Sequence, residues 1–305
     1  MFLLNETHSE DGNVVEIVKW DGRREQFDLD KLRHSILRLG APLELAKSVS
    51  EQIEREAYSG MTSKEIFDLV TAKLRTHEPA ISLREDLKTG LARMKGGSEF
   101  EEYVRLIFRA HGYSVKGNTV VQGRCVTHEI DGIAERDDEC IYLEIKHHSS
   151  PHSYTPFDVT LAAKAKWDDL QSGHESGSTS YCFNRVLVVS NTRLSAHARQ
   201  YAECVGIGHL GWNTPPGRGL DCMIEEKGLY PITVLKALHE EERDILSGNG
   251  ILTLQQLEAA TTGVDGIQES RFNELKDQAA KIMKTRLQEN CDSVRQDLAD
   301  TKGRK

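Results

Sequence analysis

Asp131, Glu144 and Lys146 are the residues of this chain whose types and spacing can do chemistry. Glu144 and Lys146 lie in an apolar run, residues 140–146, and in a β-strand alternate side chains share a face. Tyr142, Glu144 and Lys146 then point one way, and Ile141, Leu143 and Ile145 the other. Residues 125–131 also alternate, with Glu129 and Asp131 on one face and Val126, His128 and Ile130 on the other, so this strand is expected to end at Asp131. Between the runs, residues 135–139 are a polar turn of hairpin length. Two such neighbouring strands aim Asp131 and Glu144 into one small volume, with Lys146 a step further along. Paired hard carboxylates bind Mg²⁺ or Mn²⁺ and leave waters on the ion. A metal so held lowers the pKa of a bound water, and an ammonium alongside stabilises charge in the transition state. The chemistry implied is metal-assisted phosphodiester hydrolysis.

The surrounding elements extend the pattern. Residues 97–112 read as an amphipathic helix ending at Gly112, and residues 185–190 as a buried strand. Residues 195–205 follow as a helix and 207–212 as another short strand. Together these residues resemble the PD-(D/E)XK nuclease signature in its Mrr-type restriction endonuclease form, over roughly residues 96–215. The resemblance implies an α/β restriction-endonuclease-like core, a DNA substrate and catalytic roles for Asp131, Glu144 and Lys146. It also implies a third metal-binding carboxylate on the first helix, which counting back from Gly112 places at Glu101. The chain departs from the signature at Ile130, where the family name has Pro. His147, His148 and His152 follow the motif, and either a solvent-facing loop or a phosphate contact accounts for them.

A second pattern occupies the N-terminus. Residues 14–27 alternate about Asp21-Gly22, which is a hairpin signature. Asp28 offers an N-cap for a helix to Leu39, and further helices read over residues 43–58, 63–76 (capped by Thr62) and 81–94. A hairpin above four helices, opened by the run from Val18 to Leu32, resembles the ATP-cone regulatory domain over about residues 12–95. By that resemblance Lys19 and Lys31 meet the phosphates of ATP or dATP, Glu25 and Asp28 lie beside the base or ribose, and Ser63 comes from the third helix. Lysine serves as a mobile point charge on phosphate. Trp20 stands where the family usually has Arg, so one phosphate donor is replaced by Arg23 or Arg24, or by stacking of Trp20 itself.

Composition fits this division. A chain of 305 residues has room for two or three domains, and 38% hydrophobic residues suffice for separate small cores. No run approaches the ~20 apolar residues of a membrane span, and the start lacks the basic and apolar regions of a signal peptide. The six cysteines form no CxxC pair, which argues against a zinc cluster and for a reducing, cytoplasmic setting in which they mostly pack as small hydrophobes. The net charge of −9 does not favour nucleic acid by itself. Residues 96–215 hold 11 Lys and Arg against 15 Asp and Glu, hence −4. Within them, however, residues 103–124 carry Arg105, Arg109, Lys116 and Arg124 and no acid, and Lys164, Lys166, Arg185, Arg193 and Arg199 follow. A basic groove is one expectation from that distribution.

Residues 216–305 read as mostly helical. The stretch from Glu240 to Ala260, with Gly250 at its turn, loosely resembles a helix-hairpin-helix, and an interaction module is the equal alternative. A polar helix then runs from Gly266 towards Asp300, before a basic tail. Gly206-Ile-Gly208-His-Leu-Gly211 spells a dinucleotide fingerprint but follows a helix, which is the wrong context. The expected protein is thus a metal-dependent DNA endonuclease regulated by adenine nucleotide, with DNA and nucleotide as partners, no membrane, and a homo-oligomeric state. The alternative is a catalytically inactive, nucleotide-responsive DNA-binding or regulatory protein.

Overall fold

The computed structural model describes residues 15–20, 22–39, 41–77 and 83–284. The chain divides into two compact units, Met1–Pro79 and Ala80–Lys305. Asp21, Ile81, Cys291, the N-terminal residues and the tail lie outside the described residues.

In the first unit β1 (Glu16–Val18) pairs antiparallel with β2 (Arg24–Gln26), Glu16 opposite Gln26. Three helices follow, α1 (Leu29–Arg38), α2 (Leu43–Glu56) and α3 (Ser63–His77). Their starts are fixed by side chains that take up otherwise orphaned amides. Asp28 Oδ1 accepts from the Lys31 amide at 2.9 Å. Thr62 and Glu65 form a reciprocal capping box, Glu65 N–H to Thr62 Oγ1 and Thr62 N–H to Glu65 Oε2. Ile36, Ile53 and Leu74 are fully buried.

The helix expected over residues 81–94 is shorter and belongs elsewhere. It is α4 (Leu87–Arg93), capped by Asp86, and it lies in the second unit. Leu87, Leu91 and Met94 are buried in that unit's core, and Gly90 packs so closely on Val234 that a Cβ would stand 2.5 Å from its Cγ1. The units therefore divide after Pro79, ahead of the boundary near residue 95 that the helix count suggests.

The second unit is built on a five-stranded sheet. Helix α5 (Ser98–Ala110) leads into an antiparallel meander of β3 (Ser114–Gln122), β4 (Thr127–Arg136) and β5 (Glu139–Lys146). A two-residue strand β6 (Tyr154–Thr155) and α6 (Phe157–Glu175) come next, then β7 (Arg185–Ser190), β8 (Arg193–Leu194), α7 (Ala196–Val205) and β9 (Gly208–Leu210). The sheet order is β3-β4-β5-β7-β9, with β7 parallel to β5 and β9 parallel to β7, and β6 pairs with β8 outside it. The expected alternation on β5 holds. Ile141, Leu143 and Ile145 bury with Phe100, Tyr103 and Ile107 of α5, while Tyr142 buries with Ala163 and Leu170 of α6.

Two readings need correction. Strand β4 does not end at Asp131 but continues to Arg136, so Asp131 sits inside a strand and the turn shrinks to Asp137-Asp138. Helix α6 has no counterpart in the sequence reading, because it buries the small residues Thr160, Ala163 and Gly173 beside Leu170 while Phe157 and Leu161 are exposed. An apolar stripe of period 3.6 is therefore missing.

The C-terminal helices α8 (Leu220–Lys227), α9 (Glu240–Gly248), α10 (Leu254–Ala259) and α11 (Glu269–Lys284), with a 3-10 turn at Ile232–Val234, share one core with α4, α5 and the sheet. They are part of the second compact unit rather than a unit of their own. The α9–α10 turn also differs from a DNA-gripping hairpin. Its amides are used internally, Gly250 N–H to Ser247 O, Ile251 N–H to Leu246 O, and Leu252 and Thr253 N–H to Gln256 Oε1. Among the described residues no helix is long and apolar enough to cross a membrane. Among the described residues Cys125, Cys182 and Cys204 are exposed, Cys140 is half-buried and only Cys222 is buried, against the expectation that most cysteines pack inside.

Candidate active site

Asp131 is positioned by a gap in a ladder. The β3–β4 register pairs Gly117 with Gly132 and Thr119 with Ile130, and omits Asn118 and Asp131 between them. Asn118 takes a left-handed φ of +47°. Beside the gap, Arg105 of α5 donates from Nη1 to the Asp131 carbonyl at 2.6 Å. Its guanidinium is buried at 4% exposure, and Gly117 makes room for it, since a Cβ there would lie 2.6 Å from Nε. On the other side the Ile145 N–H donates to Asp131 Oδ2 at 2.7 Å. Asp131 is thus tied to α5 through its backbone and to β5 through its side chain.

Glu144 is 3% exposed, and both its oxygens are engaged. Oε2 accepts from the Tyr142 hydroxyl and from Lys166 Nζ of α6 at 3.0 Å, and Oε1 lies 2.9 Å from Lys146 Nζ. Burial works to raise its pKa, but the Tyr142 hydrogen bond and the two ammonium groups outweigh it and leave the carboxyl below its ordinary range. Asp131 has no such surplus of cations. Burial, with Glu144 and Glu101 adding to it against the Ile145 amide and Lys146, pushes it up to about 6. Burial lowers the Lys146 pKa, yet the carboxylates of Glu144, Asp131 and Glu101 prevail and raise it.

Glu101 projects from the first turn of α5, with Oε2 3.6 Å from Arg105 Nη1. Its charge acts on both Asp131 and Lys146, so the four residues named from sequence are brought to one electrostatic neighbourhood. Arg105, Tyr142 and Lys166 complete it and were not assigned there by the sequence reading. Most of the expected basic groove is instead spent on local carboxylates. Arg105 and Arg109 bind Glu102, Lys116 and Arg185 lie within ion-pair distance of Glu135 and Glu139, and Lys164 binds Asp168.

Of the histidines after the motif, His147 and His148 are engaged in internal contacts. His147 Nε2 donates to the Leu91 carbonyl and its ring packs on Phe100, while His148 bonds Thr155 and exchanges backbone bonds with the Asn191 amide. Burial lowers the pKa of both.

Among the described residues no group of three His, Cys, Asp or Glu forms a ready metal cage. What is present is a strand carboxylate pair with a third acid nearby and an Asp131 that carries its charge reluctantly. A divalent cation relieves such a cluster, and Mg²⁺ in particular is held by one or two carboxylates while keeping its waters. The donor set fits an open site of that kind.

In the first unit Lys19 Nζ lies 3.5 Å from Glu25 Oε2, and Lys31 Nζ lies 3.7 Å from Asp28 Oδ2. Glu25, Gln26, Phe27, Asp28 and Lys31 line an open recess of about 510 Å³. Ser63 Oγ donates to the Val18 carbonyl at 3.2 Å, which brings the start of α3 to the residue before Lys19. Trp20 is 62% exposed.

Residues 15–85 match the ATP cone domain, and residues 91–207 match the restriction endonuclease domain of Mrr catalytic type. An uncharacterized protein of Archaeoglobus fulgidus is 35% identical over 154 residues, which are 50% of this chain and 83% of that protein. A crystal structure of a protein of unknown function is 31% identical and aligns with 61% of this chain and 95% of its own, at a TM-score of 0.47.

Proposed function

We propose that this chain, which belongs to the Mrr-type restriction endonuclease family and carries an ATP cone ahead of that domain, is a DNA endonuclease regulated by adenine nucleotide. The observation that carries this reading is the convergence of Asp131, Glu144 and Lys146 at the β4–β5 hairpin, with Tyr142 and Lys166 fixing the Glu144 carboxylate. Asp131 and Glu144 would hold Mg²⁺ or Mn²⁺, with Glu101 as a further ligand. The ion, when bound, activates water and screens the phosphodiester.

The chain's own residues do the rest. The Ile145 amide holds one Asp131 oxygen, Oδ2. Arg105 keeps β4 in place from behind. Lys146, protonated and 40% exposed, would orient the attacking water or stabilise the charge that builds on the phosphoryl oxygens. Tyr142, its pKa driven up by burial and by Glu144, stays a hydroxyl and donates to that carboxylate throughout. In the first unit Lys19 and Lys31 would meet the nucleotide phosphates, Glu25 and Asp28 would lie beside the base or ribose, and Ser63 would join the site from α3.

A second reading has one observation in its favour. Both oxygens of Glu144 are already occupied by donors, as in a regulatory protein that keeps the fold without the reaction. Incubating the protein with plasmid, linear and single-stranded DNA, in Mg²⁺ or Mn²⁺ and with or without ATP or dATP, decides between them. The nuclease reading expects cleavage that EDTA abolishes. No cleavage in any combination, with DNA still bound, supports the second.

A further inference from the structure

Two lysines of α6 sit two residues apart and have different fates. Lys164 binds Asp168 on the helix surface and lies over the Trp167 ring. Lys166 turns inward, placing Nζ 3.0 Å from Glu144 Oε2, yet its side chain remains 30% exposed where Glu144 is 4% exposed. Its side chain is therefore tied to the site at Nζ and still partly exposed to solvent. Asp131 and Glu101 have cations of their own in Lys146 and Arg105. Glu144 is held by two, Lys146 and Lys166.

The charges close around this arrangement. Glu101, Glu102, Asp131 and Glu144 are matched one for one by Arg105, Arg109, Lys146 and Lys166. A cluster already neutral by itself gains a surplus of +2 when a divalent cation joins it, which is the sign a phosphodiester needs. Without Lys166 that surplus would halve.

Resting on the nuclease reading, we propose that Lys166 is a DNA-phosphate contact of this site. In the metal-free protein its ammonium occupies Glu144 Oε2; when Glu144 turns to a divalent cation, the ammonium is left facing the backbone of the bound strand. Lysine suits this double duty, as a point charge on a flexible stem that exchanges one oxyanion for another.

The test uses the full chain and Lys166→Met. Binding of a fluorescent DNA duplex is followed by anisotropy in Ca²⁺ across a salt series, and Mn²⁺ binding without DNA by calorimetry. Loss of one phosphate contact should weaken DNA binding by about tenfold and make the log–log salt dependence shallower by about one unit. Mn²⁺ should bind as tightly or more tightly, because a competitor for Glu144 is gone. Lys166→Arg should restore the salt slope, and thermal unfolding without metal reports whether each variant is folded. A folded Lys166→Met protein with the wild-type salt slope would overturn the proposal, and so would Mn²⁺ affinity that falls with the slope unchanged, the mark of a mere prop for Glu144. If the wild-type protein neither binds nor cuts DNA, the nuclease reading falls and takes this one with it.

Discussion

The Ile145 amide donates to Asp131 Oδ2 across 2.7 Å, so the carboxylate of β4 is fastened to β5 at the residue between Glu144 and Lys146. One backbone bond thereby sets the spacing of the whole motif. It also holds a carboxylate where burial and two other acids oppose its charge.

That opposition predicts a pH-dependent stability. A carboxyl whose pKa in the folded state is raised, here to about 6, favours folding below its unfolded value near 3.9, and this contribution is lost as pH rises through 6. Asp131→Asn keeps an oxygen for the Ile145 amide and removes the charge. In EDTA the variant should match wild type near pH 4 and exceed it above pH 7, by at most about 3 kcal/mol at ~1.4 kcal/mol per pKa unit. Added Mg²⁺ should raise the melting temperature of wild type and not of the variant. Thermal unfolding across that pH range checks both, and a variant less stable than wild type at pH 8 contradicts the account.

Nucleotide binding, as proposed, rests on exposed lysines. Lys31 is exposed and Lys19 about one-third so, each with one carboxylate of the described residues within ion-pair reach. Surface ion pairs of this kind contribute little to stability. Lys19→Ala combined with Lys31→Ala should therefore abolish ATP and dATP binding by calorimetry while leaving the melting temperature within a few degrees of wild type. Undiminished binding in the folded double variant would remove both residues from the site.

Regulation predicts a change of assembly. A bound nucleotide shifts an equilibrium only through unequal affinity for its two states, and the resemblance to ATP cones points to oligomers as those states. Light scattering during an ATP or dATP titration should show a change of mass, accompanied by a change of cleavage rate. Constant mass together with constant rate at saturating nucleotide would leave the cone without a regulatory role.

The motif was legible because its signal is local. Alternation on β5 and the spacing of Glu144 and Lys146 are properties of seven consecutive residues, and the caps Asp28 and Thr62 act within four. The expected strand end at Asp131 is not one, because Gly132 continues β4 opposite Leu143. Lys166 and Arg105 were invisible as site residues for a different reason. Their partners, the Glu144 carboxylate and the Asp131 carbonyl, lie 22 and 26 residues away in sequence, and a charged residue on a helix gives no sign of which distant acceptor it will meet. The C-terminal helices looked separable because their apolar spacing does not reveal that it completes the core of the preceding sheet.

The central claim is that the Asp131–Glu144–Lys146 cluster cuts DNA. Its most direct measurement is plasmid cleavage in Mg²⁺ by wild type beside Glu144→Ala, with DNA binding in Ca²⁺ read on the same preparations. The account predicts that Glu144→Ala lowers the rate by about a hundredfold to a thousandfold, the order seen when one electrostatic element of a transition state is removed, while DNA binding is kept or improved. Asp131→Ala and Lys146→Ala should behave alike, and Glu101→Ala should lose less. Cleavage by a folded Glu144→Ala protein at the wild-type rate would contradict the claim outright.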